Sequence, residues 1–258
     1  MSSDGAPRDR RLRRLVAPVV FALLFLGTWQ LYVAVADAPE SSLPSPTEIA
    51  AAGWDARSLL IDNTWVTVGE ILLGFGLAIV VGLGLALLIR SSRTVERAVY
   101  PWLVVSQMVP VPAIAPIFVI WTGFDLRPKV MVIALVAFFP IVVNTVDGLR
   151  AADPGLLRLM RTMGASRLQR LRYGSFPASL PFLFSGLMVA AALSVIGAVF
   201  AEWVGSSEGL GHLILVLNNA TDTATMFAAI FLLSVIGIGL FGLVVLCERL
   251  LLPWYRAR

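Results

Sequence analysis

The run VTVGEILLGFGLAIVVGLGLALLI, residues 66–89, decides the class of fold. It holds a single charged residue, Glu70. At about 1.5 Å per residue, a helix of this length crosses the roughly 30 Å of hydrocarbon in a bilayer. Because the run is continuous rather than alternating, it favours a helix over a strand of a membrane barrel. Comparable runs occupy residues 15–36, 99–122, 129–147, 181–203 and 226–250, which predicts an all-α, polytopic integral membrane protein with six transmembrane helices.

The composition agrees with a membrane protein and argues against two other classes. Of the 258 residues, 58% are hydrophobic and 14% are charged, against about 25% charged residues in ordinary soluble domains. The net charge of +4 does not indicate nucleic-acid binding, because the basic residues lie between apolar runs rather than in a basic domain. With one cysteine, Cys247, and one histidine, His212, neither a disulfide framework nor a metal site is predicted.

The placement of Lys and Arg predicts how the spans are oriented. With the N-terminus inside, 17 of the 20 basic residues fall on the inner side, and only Arg57, Arg127 and Lys129 fall outside. Since cytoplasmic segments carry the excess of Lys and Arg, both termini are predicted to be cytoplasmic. The run 15–36 is longer than the apolar region of a signal peptide and is interpreted as a retained first span.

Four segments organise the chain. Residues 1–14 form a basic cytoplasmic segment, residues 15–62 the first span and an outer loop, residues 63–254 the transmembrane domain, and residues 255–258 a cytoplasmic tail. The outer loop is predicted to hold a short interfacial helix around Pro46–Leu60, capped by Ser45 with Pro46 at the first helical position.

Polar residues and prolines inside the spans are candidates for a translocation path. The run QMVPVPAIAP in the third span predicts a broken helix, which is tolerated in a membrane where the backbone lines a cavity or is buried in protein. Buried polar side chains are equally compatible with hydrogen bonds between helices, and Glu70 and Glu202 are near enough to the outer ends of their spans to reach the interface. The candidate path residues are Gln107, Met108, Pro112, Asn144, Glu202 and Trp203.

The loop at residues 148–180 connects the fourth and fifth spans and is predicted to contain two short helices. Asp153 can cap the first helix, which is expected to end at Gly164. Ser166 and Gln169 fit a capping box that begins a second helix, expected to end before Phe176-Pro177. Such amphipathic helices lie on a membrane surface or dock in a groove of another protein, and physical argument alone leaves both alternatives open.

The same loop carries a resemblance to a known family. GASRLQRLRYGSFPASLP, residues 164–181, resembles the signature loop of importer permeases of the ATP-binding cassette (ABC) superfamily. Further stretches resemble one branch of these permeases, which serves nitrate, sulfonates, taurine and pyrimidine precursors of thiamine: NTWVTVGEILLGFGLAIVVGLGLAL, PWLVVSQMVPVPAIAPIFVIWTGF, FFPIVVNTVDGL, VFAEWVGSSEGLG and ERLLLPW. The resemblance covers roughly residues 63–254. It implies a type I ABC importer permease fold with a cytoplasmic coupling helix, in the bacterial inner membrane.

The resemblance also implies partners. The coupling helix of the family docks into a cleft on a cytoplasmic ATPase subunit, which carries ATP and Mg, so no cofactor is expected on this chain. An extracytoplasmic substrate-binding protein, a second permease copy in a homodimer and membrane lipid are the other implied partners, and nucleic acid is not. One departure is that the family's acidic-Ala-Ala triplet reads Arg158-Leu159-Met160, which removes an acidic contact. The implied coupling residues are Leu156, Leu157, Arg158, Met160, Arg161, Gly164, Ala165 and Ser166.

The function implied by the resemblance is inward transport rather than catalysis. The stretches around AEWVGSSEGLG and ERLLLPW are most similar to permeases for hydroxymethylpyrimidine or formylaminopyrimidine, with nitrate, sulfonate, taurine or a riboflavin-like compound as alternatives. An intramembrane enzyme would need a catalytic set that one histidine and one cysteine in different segments do not supply. A secondary transporter would usually show internal repeats, and none is apparent.

Overall fold

A computed structural model describes residues 7–36 and 42–255, and within these residues the chain is helical, with no strand. The described helices confirm the all-α class. Residues 1–6 of the predicted basic segment and residues 256–258 of the predicted tail lie outside the described residues. The helices are α1 (Pro7–Ala36), α2 (Pro46–Asp55), α3 (Arg57–Ser91), α4 (Arg93–Ser106), α5 (Val111–Thr122), α6 (Leu126–Arg150), α7 (Pro154–Thr162), α8 (Arg167–Arg170), α9 (Phe176–Gly205), α10 (Leu210–Asn219) and α11 (Thr223–Leu251).

The predicted spans correspond to these helices. Five of them, α1, α3, α6, α9 and α11, are long and apolar enough to cross a membrane. The sixth predicted span is the pair α4 and α5, which meet at a bend of 101°. The predicted break in this span is confirmed, because α4 ends at Ser106 and α5 begins after Pro110. Proline has no backbone N–H to donate, so a cluster of prolines interrupts the hydrogen bonding of a helix.

Small residues bring the central helices together. The helices α3, α6 and α9 form the core, with α6 between the other two. A Cβ atom built on Gly74 of α3 would lie 2.5 Å from Ile133 of α6, and one on Gly186 of α9 would lie 2.7 Å from the Pro140 carbonyl oxygen. Backbones approach this closely only at glycine, and close packing of this kind holds membrane helices together where no hydrophobic effect acts between them.

The helix α2, in the predicted outer loop, is shorter than predicted. Ser45 and Glu48 form the capping box at its start, so the predicted cap is confirmed. The helix ends at Asp55 instead of Leu60, because the chain turns at Ala56, and α3 begins immediately at Arg57. Gly53 places α2 against α11, where a Cβ atom would lie 3.2 Å from that of Ala228.

The loop between α6 and α9 contains both predicted short helices. Asp153 accepts a hydrogen bond from the Gly155 N–H at the start of α7, and Ser166 and Gln169 form the predicted capping box of α8. The expected end of the second helix before Phe176-Pro177 is wrong. The chain continues through a π-helical turn, Leu171–Ser175, into α9, with the Phe176 N–H bonded to the Leu171 carbonyl. Pro177 is tolerated because it lies in the first turn of α9.

Candidate functional site

Residues 153–175, comprising α7, α8 and the π-helical turn, form a unit that we call the coupling module. Its inner side is held by Gly174, which is buried. A Cβ atom on Gly174 would lie 2.8 Å from Leu157 Cδ2 and 3.3 Å from Met160 Sδ. Two of the predicted coupling residues, Leu157 and Met160, therefore pack inward and fix α7 on the π-helical turn.

The outer side of α7 is an exposed apolar face. Leu156, Leu159 and Met163 are 45%, 58% and 79% exposed. Their spacing of three and four residues places them on one side of the helix. Leu159 and Met163 are absent from the coupling set implied by the resemblance. Their spacing from Leu156 was nevertheless sufficient to place all three residues on one helical face. We call these three residues the outer apolar face, and the predicted coupling residues Arg158 and Arg161 are exposed beside it.

The end of α7 is fixed by a Schellman motif. Gly164 has φ +85°, and its N–H donates to the Arg161 carbonyl at 3.1 Å. The Ala165 N–H donates to the Met160 carbonyl at 2.9 Å. These two bonds satisfy the last carbonyls of the helix, and they need a residue that adopts positive φ readily. Gly164 and Ala165 thus shape the module, and Ser166 begins α8 immediately afterwards.

Ion pairs connect the end of α6, just before the coupling module, to α4. Arg150, at the end of α6, pairs with Asp147 at 3.2 Å and also with Glu96 of α4. These side chains are partly exposed. Exposed pairs of this kind contribute little stability individually, so they orient α4 and α6 more than they hold them together.

A buried polar cluster lies at the opposite end of the bundle. The carboxylate of Glu202, on α9, accepts hydrogen bonds from Thr67 Oγ1 at 2.7 Å, the Gly211 N–H at 2.5 Å and the His212 N–H at 3.2 Å. Thr67 Oγ1 in turn accepts from the Leu210 N–H at 2.8 Å. The first N–H groups of a helix have no partner within the helix, and the helix dipole favours a negative charge there. Glu202 therefore anchors the N-terminus of α10.

The same cluster holds the loop between α9 and α10. Lys129 of α6 donates to Glu70 Oε1 at 2.6 Å and to Ser206 Oγ at 2.7 Å. The Gly209 N–H donates to Asn63 Oδ1 at 2.7 Å. Gly209 has φ +107° and lies directly against the Glu202 carboxyl, so no larger side chain fits there.

The expectation that Glu70 and Glu202 reach the membrane interface is wrong. Their side chains are 2% and 0% exposed, and both are used within the bundle. Sequence reasoning did not connect Thr67 and Lys129 with these glutamates, since the partners lie on other helices. The only sequence signal was that Glu70, Lys129 and Glu202 all lie near the same predicted ends of their spans.

The predicted path residues are distributed over three places. Gln107, Met108 and Pro112 flank the break between α4 and α5 and are exposed. Trp203 follows Glu202 and donates from Nε1 to the Gly211 carbonyl at 3.0 Å. Asn144 is half-buried between α6 and α9, and its Nδ2 donates to the Pro140 carbonyl at 2.8 Å. Their role as a path remains a prediction.

A match to a known family gives the class of protein to which this helical bundle belongs. Residues 78–252 match the family described as the binding-protein-dependent transport system inner membrane component. The chain belongs to this family. It is accordingly a transmembrane permease component of an ABC transporter, located in the membrane.

Several curated permeases are similar over nearly their whole length. The formylaminopyrimidine transport permease protein of Halalkalibacterium halodurans is 40% identical, covering 95% of this chain and 98% of that protein. The riboflavin transport system permease protein of Chloroflexus aurantiacus is 39% identical, covering 96% and 95%. A putative aliphatic sulfonates transport permease of Bacillus subtilis is 30% identical, covering 97% and 90%.

Solved permease structures share the fold. An inward-facing conformation of the MetNI methionine ABC transporter superposes with a TM-score of 0.61 at 18% identity, covering 74% of this chain and 96% of that chain. An amino acid ABC transporter gives a TM-score of 0.60 at 17% identity, covering 76% and 95%. At these identities the similarity concerns the fold of the permease.

Proposed function

We propose that this permease imports a thiamine-precursor pyrimidine of the formylaminopyrimidine or hydroxymethylpyrimidine type. The observation that carries the proposal is the 40% identity to a formylaminopyrimidine permease over 95% of this chain and 98% of that protein. The one lysine in the described parts of the spans, Lys129, forms an ion pair with Glu70 at the end of the bundle opposite the coupling module. An uncharged heteroaromatic substrate suits spans without a free mid-depth cation better than an anion does.

The proposed driving partner is an ATPase subunit that binds the coupling module on the cytoplasmic side. The outer apolar face supplies a surface for a hydrophobic cleft, and such faces on a helix commonly dock in grooves. Arg158 and Arg161 flank it, so the rim of the cleft is expected to carry acidic side chains. ATP and Mg bind to that partner. A second copy of the permease forms a homodimer with this chain and completes the translocation path. An external binding protein delivers the substrate.

Riboflavin is the second candidate substrate, because the riboflavin permease is 39% identical over a similar share of the chain. Uptake of labelled formylaminopyrimidine and of labelled riboflavin by a strain lacking the permease gene, with and without the gene restored, distinguishes the two. We expect restored uptake of the pyrimidine, competed by an excess of unlabelled pyrimidine but not by riboflavin. Restored uptake of riboflavin alone would identify riboflavin as the substrate instead. Restored uptake of neither compound would contradict both candidates.

A further inference from the structure

A basic cavity of about 480 Å³ lies between the coupling module and the adjacent end of α3. Three arginines line it, Arg90 from the last turn of α3 and Arg167 and Arg170 from α8, and no acidic residue does. The remaining walls are formed mostly by leucines, including Leu87 and Leu157. The cavity therefore combines concentrated positive charge with an apolar lining.

No carboxylate of the described residues lies within ion-pair distance of these guanidinium groups. None of the three takes part in an ion pair there. Arg170 Nε is buried and has no hydrogen-bond partner in the described part of the chain. Three guanidinium groups without an ion-pair partner around one cavity favour an anion inside it that accepts from their accessible N–H groups.

The position of the cavity indicates where that anion comes from. Arg90 directly follows the apolar run of α3, so the cavity lies at the boundary between hydrocarbon and water. Leu157, which lines the cavity, is on the inner side of α7, whereas the outer apolar face points away from it. A soluble protein that docks on the outer apolar face would thus approach the module from another side.

We propose that this cavity binds the phosphate headgroup of an anionic phospholipid. Arginine forks match the geometry of phosphate oxygens, and basic pockets between membrane helices are suited to anionic headgroups. The leucine walls contact the first carbons of the acyl chains, which an inorganic phosphate ion lacks. The bound lipid would join the coupling module to α3 and so stabilise the module in the position that it has in this structure.

The test is lipid binding by the purified full-length protein in neutral detergent. Native mass spectrometry and thermal unfolding are measured with phosphatidylglycerol, with phosphatidylcholine and with inorganic phosphate. We expect phosphatidylglycerol to be retained and to raise the unfolding temperature, and the other two to do neither. Arg170→Gln should weaken retention about tenfold, the scale of one lost charged hydrogen bond. The control Arg172→Gln, whose exposed guanidinium lies over Tyr173 outside the cavity, should retain the lipid.

Three results would overturn the proposal. Equal retention of phosphatidylcholine would show that charge does not select the lipid, and unchanged retention by Arg170→Gln would place the lipid elsewhere. A full thermal shift with inorganic phosphate alone would assign the cavity to a soluble anion. Should Arg170→Gln fail to fold, Arg90→Gln and Arg170→Lys give the same test. Arg170→Lys keeps the charge but loses the guanidinium fork, so it should show a smaller loss.

Discussion

Glu202 shows how one side chain determines the shape of an entire loop. Its carboxylate accepts hydrogen bonds from Thr67 of α3 and from two N–H groups of α10. Glu202→Ala leaves these donors buried without an acceptor, so we expect the free energy of unfolding to fall by about 3 kcal/mol or more. Thermal unfolding of the detergent-purified protein measures the loss.

The exposed Glu208 of the same loop is the matched control for Glu202. Its side chain is solvent-exposed, so Glu208→Gln should change the free energy of unfolding by no more than about 0.5 kcal/mol. Equal losses in the free energy of unfolding for Glu202→Ala and Glu208→Gln would mean that burial and the α10 contacts do not contribute to stability. Glu202→Gln keeps the shape of the side chain but presents an NH2 group to donors. Its free energy of unfolding should therefore lie between those of Glu202→Ala and the natural protein.

At the scale of helices, Gly186 tests the contact that forms the core. A Cβ atom there would meet the Pro140 carbonyl oxygen at 2.7 Å, and backbone cannot move aside as a side chain can. We expect Gly186→Ala to lower the free energy of unfolding by about 1–3 kcal/mol. Gly76 of α3 has open space around its Cβ position, so Gly76→Ala is the control and should be neutral or stabilising. Similar losses for both would show that the close approach to Pro140 is not the cause, because alanine has the higher helix propensity and an open helical position should not lose stability.

Elements were predictable from the sequence to the extent that their determinants are local. The length of the apolar runs, the prolines before α5 and the capping box of Ser166 and Gln169 act over a few residues, and each was predicted. The π-helical turn was missed, because Pro177 was interpreted as a stop although the first turn of a helix accepts proline. The Glu202 cluster was also missed, because Thr67 lies 135 residues away and only the packing of α3 on α9 brings it close.

For the whole molecule, the resemblance and the fold leave the outer apolar face as the feature that requires a partner. Leu159 is 58% exposed, so its side chain contributes little to packing within the chain. Leu159→Ser should therefore leave the unfolding temperature unchanged, while capture of the ATPase subunit falls at least about tenfold, as for the loss of a well-packed interface side chain. Co-purification from membranes that express both subunits measures this capture.

Leu250, near the end of α11, provides a control of comparable exposure at 70%. Leu250→Ser exposes a similar polar group but lies outside the coupling module, so capture of the ATPase should be retained. If both variants capture the ATPase as the natural protein does, the outer apolar face is not the docking surface. If both lose it, the loss reflects a general effect on the membrane-extracted protein. Loss with Leu159→Ser alone, at an unchanged unfolding temperature, identifies the outer apolar face as the surface that binds the ATPase.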